Sequence, residues 1–154
     1  MEPKYLGDNI YGGVKMGWGK GAVAGNFVFL SGVEGQDPKT GNFPNDIETQ
    51  TRIALEKAKE HLAEAGTDFD HIVRYDAYIV GRENLKGYRR AKNEFFSKNY
   101  TLPSLIYAST LTLAAGLVSP EMLVEIEITA VLKGGTGPSY PRTLRQRKPL
   151  RPKS

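Results

Sequence analysis

The stretch "LVEIEITAV", Leu123 to Val131, alternates apolar and polar residues and reads as a strand with Glu125 and Glu127 on one face. A strand carboxylate beside bound water can serve as a general base. It can equally be a solvated acid with no chemistry, and the residues alone leave both readings open. Other reactive types are scarce. The chain has no cysteine, which removes thiol nucleophiles, disulfides and cysteine metal sites together. The two histidines, His61 and His71, show no metal-ligand spacing, so no metal and no cofactor are expected. "GWGKG" is glycine-rich but lacks the spacing and the following helix of a phosphate-binding loop.

Positioning these residues requires a particular set of elements. "AVAGNFVFLSG" reads as two short strands about a turn at Gly25-Asn26, with Val28 and Leu30 opposite Phe27 and Phe29. "QDPKTGNFPND" is a loop by composition. From Ile47 the apolar residues take a helical period: Ile47, Thr51, Ala54, Leu55, Ala58, Leu62 and Ala65. Asn45 and Glu48 have the spacing of a capping box, and Gly66 is a stop signal. "HIVRYDAYIV" alternates as a strand, with Ile72, Arg74, Asp76 and Tyr78 on one side. "ENLKGYRRAKNEFFSKNY" is a second helix with Leu85, Tyr88, Lys92, Phe95 and Phe96 near one face, weakened at Gly87. Strands near 105–114 and 122–132 complete the order β-β-α-β-α-β-β.

Two amphipathic helices can cover one face of one mixed sheet, an α+β layout. The other face then lies open, with apolar residues on it. Such a surface predicts a homo-oligomer that buries sheet faces.

The chain of 154 residues fits one domain at 1–132 followed by a basic, Pro/Gly-rich tail at 133–154. The tail holds Lys133, Arg142, Arg145, Arg147, Lys148, Arg151 and Lys153 and no acid. Taking those seven from the 21 lysines and arginines leaves 14 against 17 acids, so the body carries −3 while the whole carries +4. Phosphate binding by such a tail would be weak and salt-sensitive, and nucleic acid is not the expected partner. There is no apolar run of membrane-spanning length and no signal-peptide core, which makes a cytoplasmic location the expectation.

In order, "GNFVFLSG", "DPKTG", "IETQTRIALE", "EFF" and "LVEIEITAV" resemble the Rid family, also called YjgF, over roughly residues 18–132. The resemblance implies a chorismate-mutase-like fold and a homotrimer with sites in the clefts between subunits. It also implies hydrolysis of reactive enamines or imines with release of ammonia; some relatives act on aminomuconate-type intermediates of aromatic breakdown. It places Glu125 as the catalytic acid. Trp18 stands where the family often has a tyrosine, Ser31 matches the serine at the strand end, and Arg89 takes the place of a helical asparagine. Trp18 could stack on a flat substrate or pack across a subunit contact. Arg89 could be a relocated cation or a surface helix residue.

The family's carboxylate-binding arginine has no counterpart. Lining up "YAST" puts Ala108 there, followed by Ser109; lining up "LPSL" puts Pro103 there. No arginine occurs between Arg90 and Arg142. A guanidinium grips a carboxylate through two charge-assisted hydrogen bonds, so its loss predicts poor binding of simple 2-imino acids. The alternative to an enzyme is a trimer of the same fold that binds a small metabolite without turning it over.

Overall fold

The computed structural model describes residues 2–101 and 107–134. Pro103, the start of the strand expected from 105, and the tail beyond Gly134 lie outside them. The described residues form β1 (Lys4–Tyr5), β2 (Asp8–Tyr11), β3 (Val14–Gly19), β4 (Gly21–Ala24), β5 (Phe27–Leu30) and β6 (Val33–Glu34). There follow α1 (Ile47–Glu64), β7 (Ile72–Val80), α2 (Leu85–Asn99), β8 (Ala108–Ala114) and β9 (Val124–Val131). All seven elements expected from the sequence are present. Four short strands were not expected. Of these, β2 and β3 form a separate hairpin, turned at Gly12 and Gly13 with φ of 57° and 77°. Paired glycines meet the positive-φ demand of a tight hairpin turn.

The main sheet runs β1-β4-β5-β9-β7-β8, and β6 also pairs with β9. Only β7 and β8 are parallel, because α2 carries the chain across between them; the other pairs are antiparallel. β5 and β6 meet different stretches of the same β9 edge: Phe27–Phe29 pair with Thr129–Val131, and Val33–Glu34 with Glu125–Ile126. The helices back one face of the sheet. The core between them contains Val28, Leu55, Leu62, Tyr75, Ile79, Ile126 and Ile128, each essentially inaccessible to water. Alternation on β5 and β9 matches this: Val28 and Leu30 are buried where Phe27 and Phe29 are not, and Val124, Ile126, Ile128 and Ala130 are buried where Glu125 and Glu127 are not.

Three details differ from the sequence expectation. The cap of α1 is Asp46, which accepts a hydrogen bond from Thr49 N at 2.7 Å, not Asn45. The backbone of Asp46 is extended, so its carboxylate meets the third helical amide directly. Gly66 follows the C-cap Ala65, where a stop was expected. On β7, Ile72 does not share a face with Arg74. The register slips there, Ile72 facing Ala130 and Arg74 facing Thr129, so the bulged residue Val73 returns Ile72 to the core. The open face is also less apolar than expected. It shows Phe27 and Phe29, but across β7, β8 and β9 it carries Arg74, Tyr78, Thr110, Thr112, Glu127 and Thr129.

The second helix packs as its pattern implies. Phe95 and Phe96 stack edge-on against Phe69 at 5.3 and 5.2 Å, and Tyr88 donates to the buried Tyr75 hydroxyl at 3.0 Å. Lys92, set on the apolar face, lies over the Tyr75 and Tyr88 rings at 5.8 and 5.9 Å. Gly87 has a packing purpose. A β-carbon there would stand 2.6 Å from Ile47 Cγ2, where α1 and α2 touch. Gly87→Ala adds about 1 kcal/mol of helix propensity against about 1–3 kcal/mol for overpacking. The expected net result is a loss of stability, read as a lower urea midpoint; a higher midpoint would show that the helices can separate freely.

Among the described residues no helix is long and apolar enough to cross a membrane.

Candidate functional site

Glu125 sits where β9 changes partner. On one side it is in register with Glu34 of β6, on the other with Tyr78 of β7. Its side chain leans over Gly32, so closely that a β-carbon at Gly32 would overlap Oε1. The carboxylate is partly buried and makes no hydrogen bond or ion pair with another described residue. Burial pushes its pKa above the ordinary glutamate range, and the charges of Glu34 and Glu127 add to the rise.

Its two acidic neighbours differ from it. Glu34 is held by Lys57 of α1 at 2.7 Å, with side chains only 13% and 21% exposed. Glu127 is exposed and accepts a hydrogen bond from Tyr78 at 3.4 Å; its charge raises the pKa of the tyrosine hydroxyl. The two strand glutamates that look alike in sequence therefore stand in different surroundings.

Trp18 and Ser31 come together. Both line a groove of about 800 Å³ between the β2–β3 hairpin and the sheet, with Tyr5, Met16 and Phe29. Trp18 is 59% exposed. The Ser31 hydroxyl donates to Gly19 O at 2.7 Å, which ties β3 to the end of β5. Glu125 does not line this groove. Gly32, next to Ser31 in the chain, is the link between them.

The remaining candidates lie apart within one chain. Arg89 is exposed on α2, on the helix side of the sheet, whereas Glu125 faces the open side. Ala108 opens β8 opposite Arg74, and Ser109 pairs with Tyr75. Alternation therefore turns Ala108 and Ser109 to opposite faces. Arg74 lies four steps along β7 from Tyr78, the neighbour of Glu125, which is about 13 Å of strand. No arginine stands at Ala108, but one stands beside it. The Arg74 guanidinium is bound to Asp76 at 2.6 Å and to the Thr110 hydroxyl at 3.2 Å, and buried Asp76 also accepts from Thr110 N at 2.7 Å.

Sequence reasoning passed over Glu34, Gly32, Lys57 and Arg74. The signal for Glu34 was faint: Val33-Glu34 reads apolar then polar, but out of phase with Val28 and Leu30, so alternation carried on from β5 would have put Glu34 on the buried side. Its partner Lys57 is 23 residues away on a helix, and no local pattern connects them. The histidines take separate places. His71 contacts Asp68 at 2.6 Å, and His61 keeps a buried Nδ1 without a hydrogen-bond partner among the described residues, its pKa lowered by burial and by Lys20. Among the described residues no group of three or more His, Asp or Glu side chains could hold a metal ion.

Comparison with known proteins gives one consistent result. A RutC family protein of Pyrococcus horikoshii is 30% identical over 108 residues, which are 70% of this chain and 80% of that protein. The chloroplastic Reactive Intermediate Deaminase A of Arabidopsis thaliana is 34% identical over 110 residues, 71% of this chain and 55% of the relative. Among solved structures, Escherichia coli TdcF with bound serine superposes with a TM-score of 0.72 at 24% identity, covering 83% of this chain and 98% of that one. It shares the mixed sheet backed by two helices. Residues 14–132 match the family described as endoribonuclease L-PSP. Since that match spans every element from β3 to β9, the chain belongs to the endoribonuclease L-PSP family, the YjgF or Rid proteins whose motifs it carries.

Proposed function

We propose that the protein is a Rid-type hydrolase that releases ammonia from an imine or enamine, with Glu125 as the acid–base group, in clefts between the subunits of a homotrimer. The observation that carries this reading is the state of Glu125: partly buried, raised in pKa and without a partner among the described residues. A structural ion pair would have filled that role. A base that must accept and return a proton is best left unpaired, with a pKa nearer to the working pH.

The chemistry balances on that one group. The Glu125 carboxylate takes a proton from water as the water oxygen bonds to the imine carbon, and the C=N electron pair moves to nitrogen. The protonated carboxyl then gives its proton to the amine of the carbinolamine. Glu125 then takes the hydroxyl proton as the C–N bond breaks, so that a carbonyl remains and ammonia leaves, carrying off from Glu125 the proton that the protonated imine brought in. An enamine enters the same path after protonation at carbon gives the imine.

Two further observations support the setting. Glu125, the Trp18–Ser31 groove, Ala108 and Arg89 lie on different parts of one chain, so a site using them together draws on more than one copy. The Phe27 and Phe29 rings, 6.2 Å apart, also lie half-exposed on the open face. The reactive intermediate deaminase of Arabidopsis supports the reaction class, and TdcF with bound serine supports a small amino-acid-like ligand. The absence of a guanidinium at Ala108 favours a substrate that does not rely on a carboxylate clamp at that point.

Light scattering at low micromolar concentration is expected to give three times the 17.0 kDa chain mass; a mass near 17.0 kDa would end the trimer reading. Offered imines derived from 2-aminoacrylate and aminomuconate analogues, the protein is expected to release ammonia from at least one and to act poorly on simple 2-imino acids. No release above buffer from any of them would leave a binding protein in place of an enzyme.

A further inference from the structure

Two carboxylates meet across the β6–β9 pair, and among the described residues only one has a cation. Glu34 and Glu125 are register partners. Lys57 extends from α1 to Glu34 Oε1 at 2.7 Å, in surroundings that exclude most water. Among the described residues Glu125 has no counterpart to Lys57. Two like charges opposite each other on an antiparallel pair repel, and neighbouring carboxylates do not titrate independently. One proton relieves the repulsion wherever it goes. At Glu34 it would forfeit the ion pair with Lys57; at Glu125 it forfeits nothing. The asymmetry directs the proton to Glu125.

We propose that the Lys57–Glu34 pair is a positioning device that makes Glu125 the protonatable member of the two carboxylates, so that Glu125 can both take and return a proton during turnover. Neither Lys57 nor Glu34 need touch the reacting atoms. Pairs of acids whose environments push their pKa values apart are a recurrent way of assigning acid and base roles. The other groups facing Glu125 among the described residues are Glu127 on its own strand and Tyr78 on β7. Glu127 adds a further negative charge, and Tyr78 stays neutral because its own proton is held more tightly. Gly32 packs beneath the carboxylate and carries no charge. The charge of Glu34 adds to the burial that holds the Glu125 proton.

This inference rests on reading Glu125 as the acid–base group, and the test separates the two. The Glu125 carboxyl carbon is followed by NMR titration in the full chain, beside the pH dependence of ammonia release. Glu34→Gln removes the opposing charge, and the Glu125 midpoint is expected to fall by about one pH unit. Lys57→Met removes the asymmetry, so the pair should share the proton and the Glu125 titration should split from one step into two. Lys57→Arg, which keeps the cation, should leave it in one step near the wild-type midpoint. A role confined to folding would leave the Glu125 titration unchanged in form and position. A Glu125 midpoint that stays put in Glu34→Gln, or a Lys57→Met titration that keeps one step at the wild-type midpoint, overturns the proposal. If the midpoints move as expected while the acid limb of ammonia release stays where it was, the device stands and Glu125 is not the catalytic base.

Discussion

Glu125→Gln is expected to leave the oligomer intact and to lower turnover by about 100-fold or more, the usual contribution of a positioned base being roughly 10²–10⁴. Glu127→Gln should change it far less. The two glutamates share a strand face, yet a shift of two residues moves a carboxylate by about 6–7 Å, well beyond hydrogen-bond reach of the same water. Their surroundings separate them further. Glu125 is partly buried, leans on Gly32 and lacks a partner among the described residues, whereas Glu127 is exposed and engaged by Tyr78. Glutamine keeps the size of the side chain and can still accept a hydrogen bond, but it cannot take a proton from water. The pH profile carries a second expectation. A base works in its ionised form, so activity should fall as pH drops through the Glu125 pKa. Because that pKa is raised, the fall should begin at a higher pH than for an ordinary glutamate. Initial rates for wild type and both variants, with the mass of each oligomer checked by light scattering, decide the matter. Equal losses in the two variants, or a greater loss at Glu127, would mean that the acid is wrongly assigned.

The largest expected effect on stability lies at Gln50. This side chain is completely buried on α1. Its amide nitrogen donates to Pro44 O at 2.7 Å and Glu121 O at 2.8 Å, and its oxygen accepts from Leu123 N at 2.9 Å. One residue thus fastens the loop before α1 and the segment leading into β9 to the helix. Gln50→Leu keeps much the same volume but leaves two carbonyls and one amide without their partner. Each unsatisfied buried group costs about 1–3 kcal/mol, and some recovery through water brings the expected total to about 3–5 kcal/mol. At this chain length that corresponds to a fall of about 10 °C in Tm. Calorimetry or thermal circular dichroism would measure it, and a fall of less than about 2 °C would show that the network is dispensable. Leu123 directly precedes Val124, the first residue of β9, so the same change is also expected to loosen the hold on Glu125 two residues later.

Much of the fold was legible in the sequence because it rests on periodicity. The stripe from Ile47 to Leu62, the alternation through Phe27–Leu30 and Val124–Val131, and the aromatic pair Phe95–Phe96 each report a buried face through local spacing. Local spacing survives folding unchanged wherever the backbone is regular. Where the backbone is irregular, the pattern misled: the bulge at Val73 moved Ile72 to the other face, and the extended backbone at Asp46 shifted the helix cap by one residue. The motifs also sufficed to indicate the family.

The tertiary structure decided which of these residues share a neighbourhood. Glu34 opposite Glu125, Lys57 reaching from α1 to Glu34, Gly32 beneath the carboxylate and Arg74 beside Ala108 are encounters between residues distant in the chain. Electrostatic environment depends on distance in space and on exclusion of water, and neither is written in the spacing along one strand. Two glutamates in the same "EIE" thus read identically in sequence and differ in the fold, where one faces a second acid with its own lysine and the other a tyrosine.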